Sequence, residues 1–501
     1  MEHPCGASSS LKSGEGFIWK KDHRDVEQPC FLKETGKGAA MHPWMVKNII
    51  FPLHERILGR KTFAYLRRLE KEQWLTPSEL DALKLEKLKA LLVHGAKNIP
   101  FYAKRFAEAG FDPNRLSALD DLKKLPLLSK AEIRKNLQEM LWKACPGGLH
   151  RYNTGGSTGE PLVFYFDRRR QAYDAAARAM CHRWWGIDIG DRELYLWGSP
   201  LEITRQDRIK DWRDALTNQL LLSAFELSEK QVPGFVEKIR RFRPKCVFGY
   251  PSTIDLFGRM AETQGYRLDS SGVKVVFCTA EVLYDHQRRN ISRYFGGVPV
   301  VDSYGSREGG FINHQCPRGT YHIMDPNYVI EFLQDGMPAK PGETGEIVIT
   351  HLDAWGMPLI RYRTGDMASS GEGVCECGRG LSTMSAVQGR STDFVVTPDG
   401  RWQHGLSVIY VVRDIEGVDQ FKIIQDEVDR MRVLIKVHPD LYPPDGDERI
   451  QRGFKKRMGQ NVDVSVEHVD HIPSEASGKY RYVVSHVAQR LGVRHPEGEG
   501  A

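Results

Sequence analysis

Apolar residues recur at helical spacing through the first third of the chain. In LDALKLEKLKALLVHGAKN (80–98) they fall three and four positions apart, the spacing of an amphipathic helix. The whole of 41–146 is rich in helix formers, which predicts a helical subregion packed on a larger body. From about residue 172 the rhythm changes. YDAAARAMCHRWW is predicted as helix, RELYLWG as an apolar strand, SEKQVPGFVEKIRRF as helix and KCVFGY as strand. PSTIDLFGRMAETQG, VKVVFCT, DHQRRNISRYF and VPVVDSYG continue the alternation. Strands separated by helical segments of roughly 10–15 residues predict βαβ units and a largely parallel sheet.

After residue 320 the pattern turns strand-rich, with YVIEFLQ and GEIVITHL separated by the turn residues DGMPAKPGETG. A boundary is expected near GRSTDFVV (389–396). Beyond it FKIIQDEVDRMRVLIKV reads as a hairpin, DERIQRGFKKRMGQ as a helix and VDVSVEHV as a strand. The expected fold class is therefore α/β. A large N-terminal domain (41–390) holds mostly parallel sheets flanked by helices plus a β-rich subdomain. A small, mobile α+β C-terminal domain (391–490) follows. Residues 1–40 and 491–501 are expected to be a flexible leader and tail.

Composition narrows the class. Hydrophobic residues make up 41% and charged residues 27% of the 501, ordinary proportions for a soluble enzyme. The formal charge of +6 is spread over 71 basic and 65 acidic side chains, which argues against a nucleic-acid binder with a concentrated basic patch. No apolar run reaches the ~18–20 residues of a membrane helix, so no membrane insertion is expected. The first forty residues lack the apolar block of a signal peptide. With nine cysteines in so long a chain, a reducing, cytoplasmic location is expected.

Chemistry enters at YNTGGSTGEPLVFYF (152–166). A common nucleotide loop reads GxxxxGK[ST] and runs into a helix. Here Glu160 and Pro161 follow Gly159, and LVFYF alternates like a strand, so the loop is expected to connect strands. Any phosphate there would be held by backbone N–H groups and by the hydroxyls of Thr154, Ser157 and Thr158. A glycine hairpin turn with no ligand gives the same local text.

The segments YNTGGSTGEPL, SYGSREGG, GETGEIVIT, RYRTGD, GRSTD and PSEASGK occur in that order. Together with IPFYAKRFAEAGFDPNRLSALDDLKKLPLLSKAEI they resemble the adenylate-forming (acyl-activating, AMP-binding) superfamily, in its phenylacetate–CoA ligase-like branch, which includes polysaccharide-locus relatives. The resemblance runs from about 85 to 482. It implies condensation of a small-molecule carboxylic acid with ATP to an acyl-adenylate and pyrophosphate, then transfer to a thiol, usually coenzyme A. Transfer to a carrier protein or an amine is the neighbouring alternative, and a degenerate nucleotide-binding homologue without turnover is another.

By resemblance, Thr154, Gly155, Gly156, Ser157, Thr158 and Gly159 form the phosphate loop. Ser303, Tyr304 and Gly305 lie at the nucleotide, with Tyr304 against adenine. Glu308 holds Mg²⁺, Asp366 accepts the ribose hydroxyls, and Arg390 sits at the interdomain linker near the ribose. Lys479 is expected to carry adenylation, bridging the substrate carboxylate and the α-phosphate. Two departures stand out. Many relatives read Gly-Lys-Pro where this chain has Gly159–Glu160–Pro161, and Ser391 and Thr392 precede Asp393 at the linker.

Cys316 in HQCPRGTYH and Cys375 and Cys377 in CECGR would make a closed zinc site with one histidine. His322 is the first choice as fourth ligand because relatives share that segment, with His314 the competitor. Three reduced, unliganded thiols are the alternative. Tyr250, Pro251 and Ser252, and Ala280 and Glu281, fall on segments that line the acyl pocket in relatives. Trp197, Gly198 and Ser199 are expected at a strand end, where open α/β sheets meet ligands. Each of these aromatics suits core packing equally. A homodimer is left open.

Overall fold

The computed structural model describes residues 41–154, 162–197, 216–223, 227, 229–334, 336–388, 394–399, 402–404, 406–472 and 481–487. Its centre is an eight-stranded sheet. In hydrogen-bonded order the strands are Gln219–Ser223, Glu193–Trp197, Cys246–Gly249, Val275–Thr279, Val300–Ser306, Gly310–Gln315, Tyr321–Ile323 and Thr383–Met384. The first five pair in parallel and the last three join antiparallel. The expected alternation is present, with helices Val232–Phe242, Pro251–Thr263 and Asp285–Tyr294 between the parallel strands.

Both faces of the parallel part are covered, which explains the near-continuous apolar run Val275–Thr279, buried at every position. On one face Leu194, Val247, Val276 and Cys278 meet Phe235, Ile239, Ile254, Phe257 and Ile291 of the three helices. On the other, Cys246, Val275, Phe277 and Val301 meet Ile187. Helix Arg168–Trp184 also lies on this side, its His182 ring stacked on Phe277 at 4.0 Å. That helix begins five residues before the apolar pattern predicts. Asp167 is its N-cap and accepts the N–H of Arg170 at 2.8 Å, and an opening turn of three arginines carries no apolar periodicity.

Helix Pro77–Asn98 anchors the N-terminal helical region. Thr76 and Glu79 form a reciprocal capping box, with Pro77 in the first turn. Leu80, Leu88, Leu91 and Leu92 are buried as the spacing predicts. Lys84 and Lys87 are buried too, against expectation for lysine. Lys84 pairs with Asp325 at 3.0 Å, and Lys87 pairs with Asp353, which also accepts from Arg169. These pairs fasten the helix to distant parts of the chain.

A second, antiparallel sheet orders Met337–Pro338, Tyr328–Gln334, Thr344–His351 and Tyr362–Ser369. The C-terminal residues build their own sheet. The predicted hairpin forms from Val418–Glu427 and Arg430–Val437, flanked by Asp463–His468 and Val483–Ser485. Helices Leu406–Arg413 and Gly446–Met458 complete a separate core through Val408, Val412, Ile450 and Phe454. This core meets the larger body where Arg259 pairs with Asp419 at 2.9 Å, and where Tyr482 lies edge-on to Tyr284. Among the described residues no helix is long and apolar enough to cross a membrane.

Candidate active site

The parallel strands end on one edge of the central sheet, the side where such sheets hold ligands. Trp197 closes one strand and stacks on Tyr250, which follows the next, with ring centroids 4.2 Å apart. Tyr250 is the N-cap residue of the following helix and Pro251 its first residue. The carboxylate of Glu281 accepts the N–H of Ser252 at 3.2 Å, so a negative charge sits at that helix N-terminus. Ala280 turns the chain out of the sheet with φ of +67°. That left-handed conformation costs a non-glycine residue about 1 kcal/mol or more. The acyl-side residues expected from the sequence are therefore brought to one edge. Gly198 and Ser199 lie outside the described residues.

Strand Val300–Ser306 carries Ser303, Tyr304 and Gly305, the residues expected at the nucleotide. Its register shifts between Tyr304 and Gly305, and the N–H of Tyr304 donates to the side-chain oxygen of Asn313 at 3.0 Å. Gly305 suits this bulge because a Cβ there would stand 2.5 Å from the carbonyl oxygen of Gly310. The Tyr304 hydroxyl donates to Asp366 at 2.8 Å. Burial, reinforced by the Asp366 charge, pushes the Tyr304 phenol well above its ordinary pKa, so it remains a neutral donor. The Asp366 N–H in turn donates to the hydroxyl of Thr364 at 3.1 Å.

Glu308 is 6% exposed and accepts a hydrogen bond from the Tyr362 hydroxyl at 3.0 Å. Burial, and then the Glu308 charge, raise the Tyr362 phenol well above the usual range. Tyr304 on one sheet, and Glu308 in the turn that follows its strand, are thus tied to Asp366 and Tyr362 on the other. Ser303 is placed differently. Its hydroxyl is buried and lies 2.6 Å from Nδ1 of His314, so its side chain is occupied beneath the edge.

The glycine turn does connect strands. His150–Asn153 and Val163–Phe166 pair antiparallel, Asn153 opposite Val163. Thr154 closes the base of the turn: its N–H donates to Leu162, and its hydroxyl oxygen accepts the Leu162 N–H, both at 2.9 Å. Arg307, one residue before Glu308, donates to the carbonyl of Asn153 at 3.3 Å, and Arg170 donates to the carbonyl of Arg307 at 2.7 Å. The hairpin is thereby fastened beside Glu308. Gly155, Gly156, Ser157, Thr158 and Gly159, and Glu160, lie outside the described residues, as do Arg390 and Lys479. Tyr482, three residues beyond Lys479, packs against Tyr284 with ring centroids 5.6 Å apart.

Tyr362, Thr364, Arg307 and Asn313 carry contacts that the sequence reading did not assign. The first two had an available signal. Tyr362 and Thr364 lie four and two residues before Asp366 on the same strand, Tyr362–Ser369. Arg307 and Asn313 had none, because their partners lie on other elements.

A second cluster forms at the far end of the central sheet. Single ligand atoms of Cys316, His322, Cys375 and Cys377 all lie within 4.8 Å of one another. The sulfurs of Cys316 and Cys375 are 3.8 Å apart, and two Zn–S bonds of about 2.3 Å at a tetrahedral angle would separate their sulfurs by about 3.8 Å. Nε2 of His322 is 3.2 Å from the Cys377 sulfur, and its Nδ1 meets the Leu381 carbonyl at 3.1 Å, the kind of outer partner that fixes a ligating imidazole. His314 points to Ser303 instead. Strand pairing makes the choice, since Thr383 sits opposite His322, bringing the segment just after the two later cysteines alongside it.

Residues 395–486 match the family model described as the CapK C-terminal domain. The chain is 23% identical over 452 residues to Protein CapK of Staphylococcus aureus, covering 89% of this chain and 98% of that one. It is 24% identical over 451 residues to a phenylacetate-coenzyme A ligase of Thermus thermophilus, covering 82% and 97%. Among solved structures, 2-hydroxyisobutyryl-CoA ligase in its postadenylation state, with an acyl-AMP bound, superposes with a TM-score of 0.67 at 17% identity. That match covers 84% of this chain and 93% of the other. The fold is that of the adenylate-forming ligases.

Proposed function

We propose, from the premise that the chain fits the phenylacetate–CoA ligase-like branch of the adenylate-forming proteins, that it is an AMP-forming acid–thiol ligase. A carboxylate oxygen of the acid attacks the α-phosphorus of ATP, pyrophosphate leaves, and a thiol sulfur then attacks the acyl carbon and displaces AMP. Coenzyme A is the acceptor in this reading. The observation that carries it is the four-residue network in which Tyr304 bonds Asp366 and Tyr362 bonds Glu308. It sets two carboxylates beside the hairpin that bears the glycine turn.

In this reading Asp366 accepts the ribose hydroxyls, which a held carboxylate does well. Tyr304 lies along the adenine, and the glycine turn offers backbone N–H groups to the phosphates. Glu308 would hold Mg²⁺, whose charge offsets the phosphates as pyrophosphate departs. The acid lies on the edge formed by Trp197, Tyr250 and Ala280. Lys479 supplies the cation for the attacking carboxylate. The cysteine–histidine cluster suits a structural Zn²⁺, with Cys316, His322, Cys375 and Cys377 as a closed ligand set.

A pyrophosphate-release assay across aryl and alkyl acids, with and without coenzyme A, tests this function. Release with one class of acid and an acyl-CoA product is expected, and Lys479→Ala should abolish acyl-AMP formation with little change in thermal melt. Product formed only with an amine or a holo-carrier would overturn the coenzyme A assignment. No release with any acid would favour a homologue without turnover.

A further inference from the structure

The helical run that opens the described chain exposes apolar side chains that no described residue covers. It consists of Pro43–Met45, a wide π-turn at Val46–Ile50 and the α-helix Phe51–Ile57. Pro52 explains the wide turn: it has no N–H to return to the preceding turn, and a π-turn absorbs the mismatch. One side is fixed to the body. Val46 is buried, Lys47 pairs with Asp188 at 2.6 Å, and Asn218 donates to the carbonyl of Met41 at 2.8 Å.

The other side carries Trp44, Met45, Ile49, Leu53, Ile57 and Leu58, all exposed, with Trp44 at 60% and Ile57 at 74%. From Met45 to Ile57 the spacing is four residues. That lies between the 3.6 of an α-turn and the wider π-turn, so the stripe holds its direction along ~18 Å of helix. Single exposed leucines need no explanation, but a contiguous stripe does.

The charge around it selects the partner. Residues 41–61 hold four cationic side chains, Lys47, Arg56, Arg60 and Lys61, against the lone acid Glu55. Glu55 is buried and already bonded by Arg60 and Thr62. Arg56 and Lys61 are exposed and form no ion pair among the described residues. A second copy meeting this face about a two-fold axis would oppose these charges to themselves. An anionic surface would instead be attracted, and a helix too short to span a bilayer lies in its interface.

We propose that the helical run Pro43–Ile57 docks the protein on an anionic lipid surface. Trp44, Leu53 and Ile57 enter the headgroup boundary while Arg56 and Lys61 meet lipid phosphates. The run is separate from the site described above, so the docking stands whether or not the ligase reading holds.

The test is flotation of the full chain with phosphatidylcholine vesicles, with and without phosphatidylglycerol. Binding is expected with the anionic vesicles and much less with phosphatidylcholine alone. Leu53→Glu with Ile57→Glu should lower the bound fraction about tenfold while melt and pyrophosphate release stay as in the parent chain. Arg56→Glu with Lys61→Glu, which alters only exposed charges, should weaken binding in a salt-dependent way. Three results would overturn the proposal. They are no flotation of the parent chain, flotation of both variants equal to that of the parent chain, and a parent dimer on sizing that Leu53→Glu with Ile57→Glu dissociates.

Discussion

Two buried tyrosines offer a paired experiment whose halves differ in sign. The Tyr362 hydroxyl donates to the buried Glu308 at 3.0 Å, whereas the equally buried Tyr173 hydroxyl has no hydrogen-bond partner among the described residues. Phenylalanine keeps the ring in each case, so neither substitution opens a cavity of consequence. Tyr362→Phe removes a hydrogen bond to a charged group, worth about 1.5–3 kcal/mol, and Tyr173→Phe removes an unmet desolvation penalty of about 1–3 kcal/mol. Unfolding entropy near ~2.1 cal/mol/K per residue over roughly 450 residues gives ~0.9 kcal/mol/K, so each kcal/mol moves the midpoint by ~1 °C. Differential scanning fluorimetry should therefore show Tyr362→Phe melting about 1.5–3 °C lower and Tyr173→Phe about 1–3 °C higher. Tyr362→Phe should also slow acyl-AMP formation about tenfold, because Glu308 loses the donor that orients it. Shifts of the same sign, or a Tyr362→Phe variant with parental melt and rate, would refute the reasoning.

Asp366→Ala should weaken ATP binding by about 1.5–3 kcal/mol, measured by calorimetry, and unaltered affinity would remove its ribose role. Asp302 makes a pH prediction. Burial raises its carboxyl to about 6, against the nearby Arg288. A carboxyl raised on folding stabilises the protein below its unfolded value near 4, and that contribution is lost as pH rises through about 6. Asp302→Asn should flatten this decline in the melt between about pH 4 and 7; an unchanged profile would show that Asp302 does not titrate there. Dialysed protein should carry one zinc per chain by elemental analysis, and Cys375→Ser should lower both the zinc content and the melt. A metal-free parent chain would leave the cluster as reduced thiols.

Much of the framework was legible because its information is local. The alternation of helix and strand from Glu193 to Ser306 follows from side-chain periodicity, apart from the edge strand Gln219–Ser223, which the pattern did not show, and the hairpin at 418–437 follows from it too. Glu160 and Pro161 after the glycines made a strand-to-strand connection readable, and the strands on either side, His150–Asn153 and Val163–Phe166, pair antiparallel. Polar helix starts were not readable, since Arg168, Arg169 and Arg170 show no periodicity. Neither were Lys84 and Lys87, whose burial depends on carboxylates more than two hundred residues away.

The residue types and their order determined the chemistry available to this chain: glycines before a strand, tyrosine and glutamate after another, an aspartate behind a glycine, three cysteines. Which of those groups touch was settled by tertiary structure. His322 was the first choice as fourth ligand by resemblance, with His314 its competitor, and the pairing of Tyr321–Ile323 with Thr383–Met384 is what carries the two later cysteines to His322. Tyr362 meets Glu308 because two separate sheets converge. A linear sequence encodes period and propensity within a few residues, whereas contacts across 54 or 59 positions arise from strand register and packing.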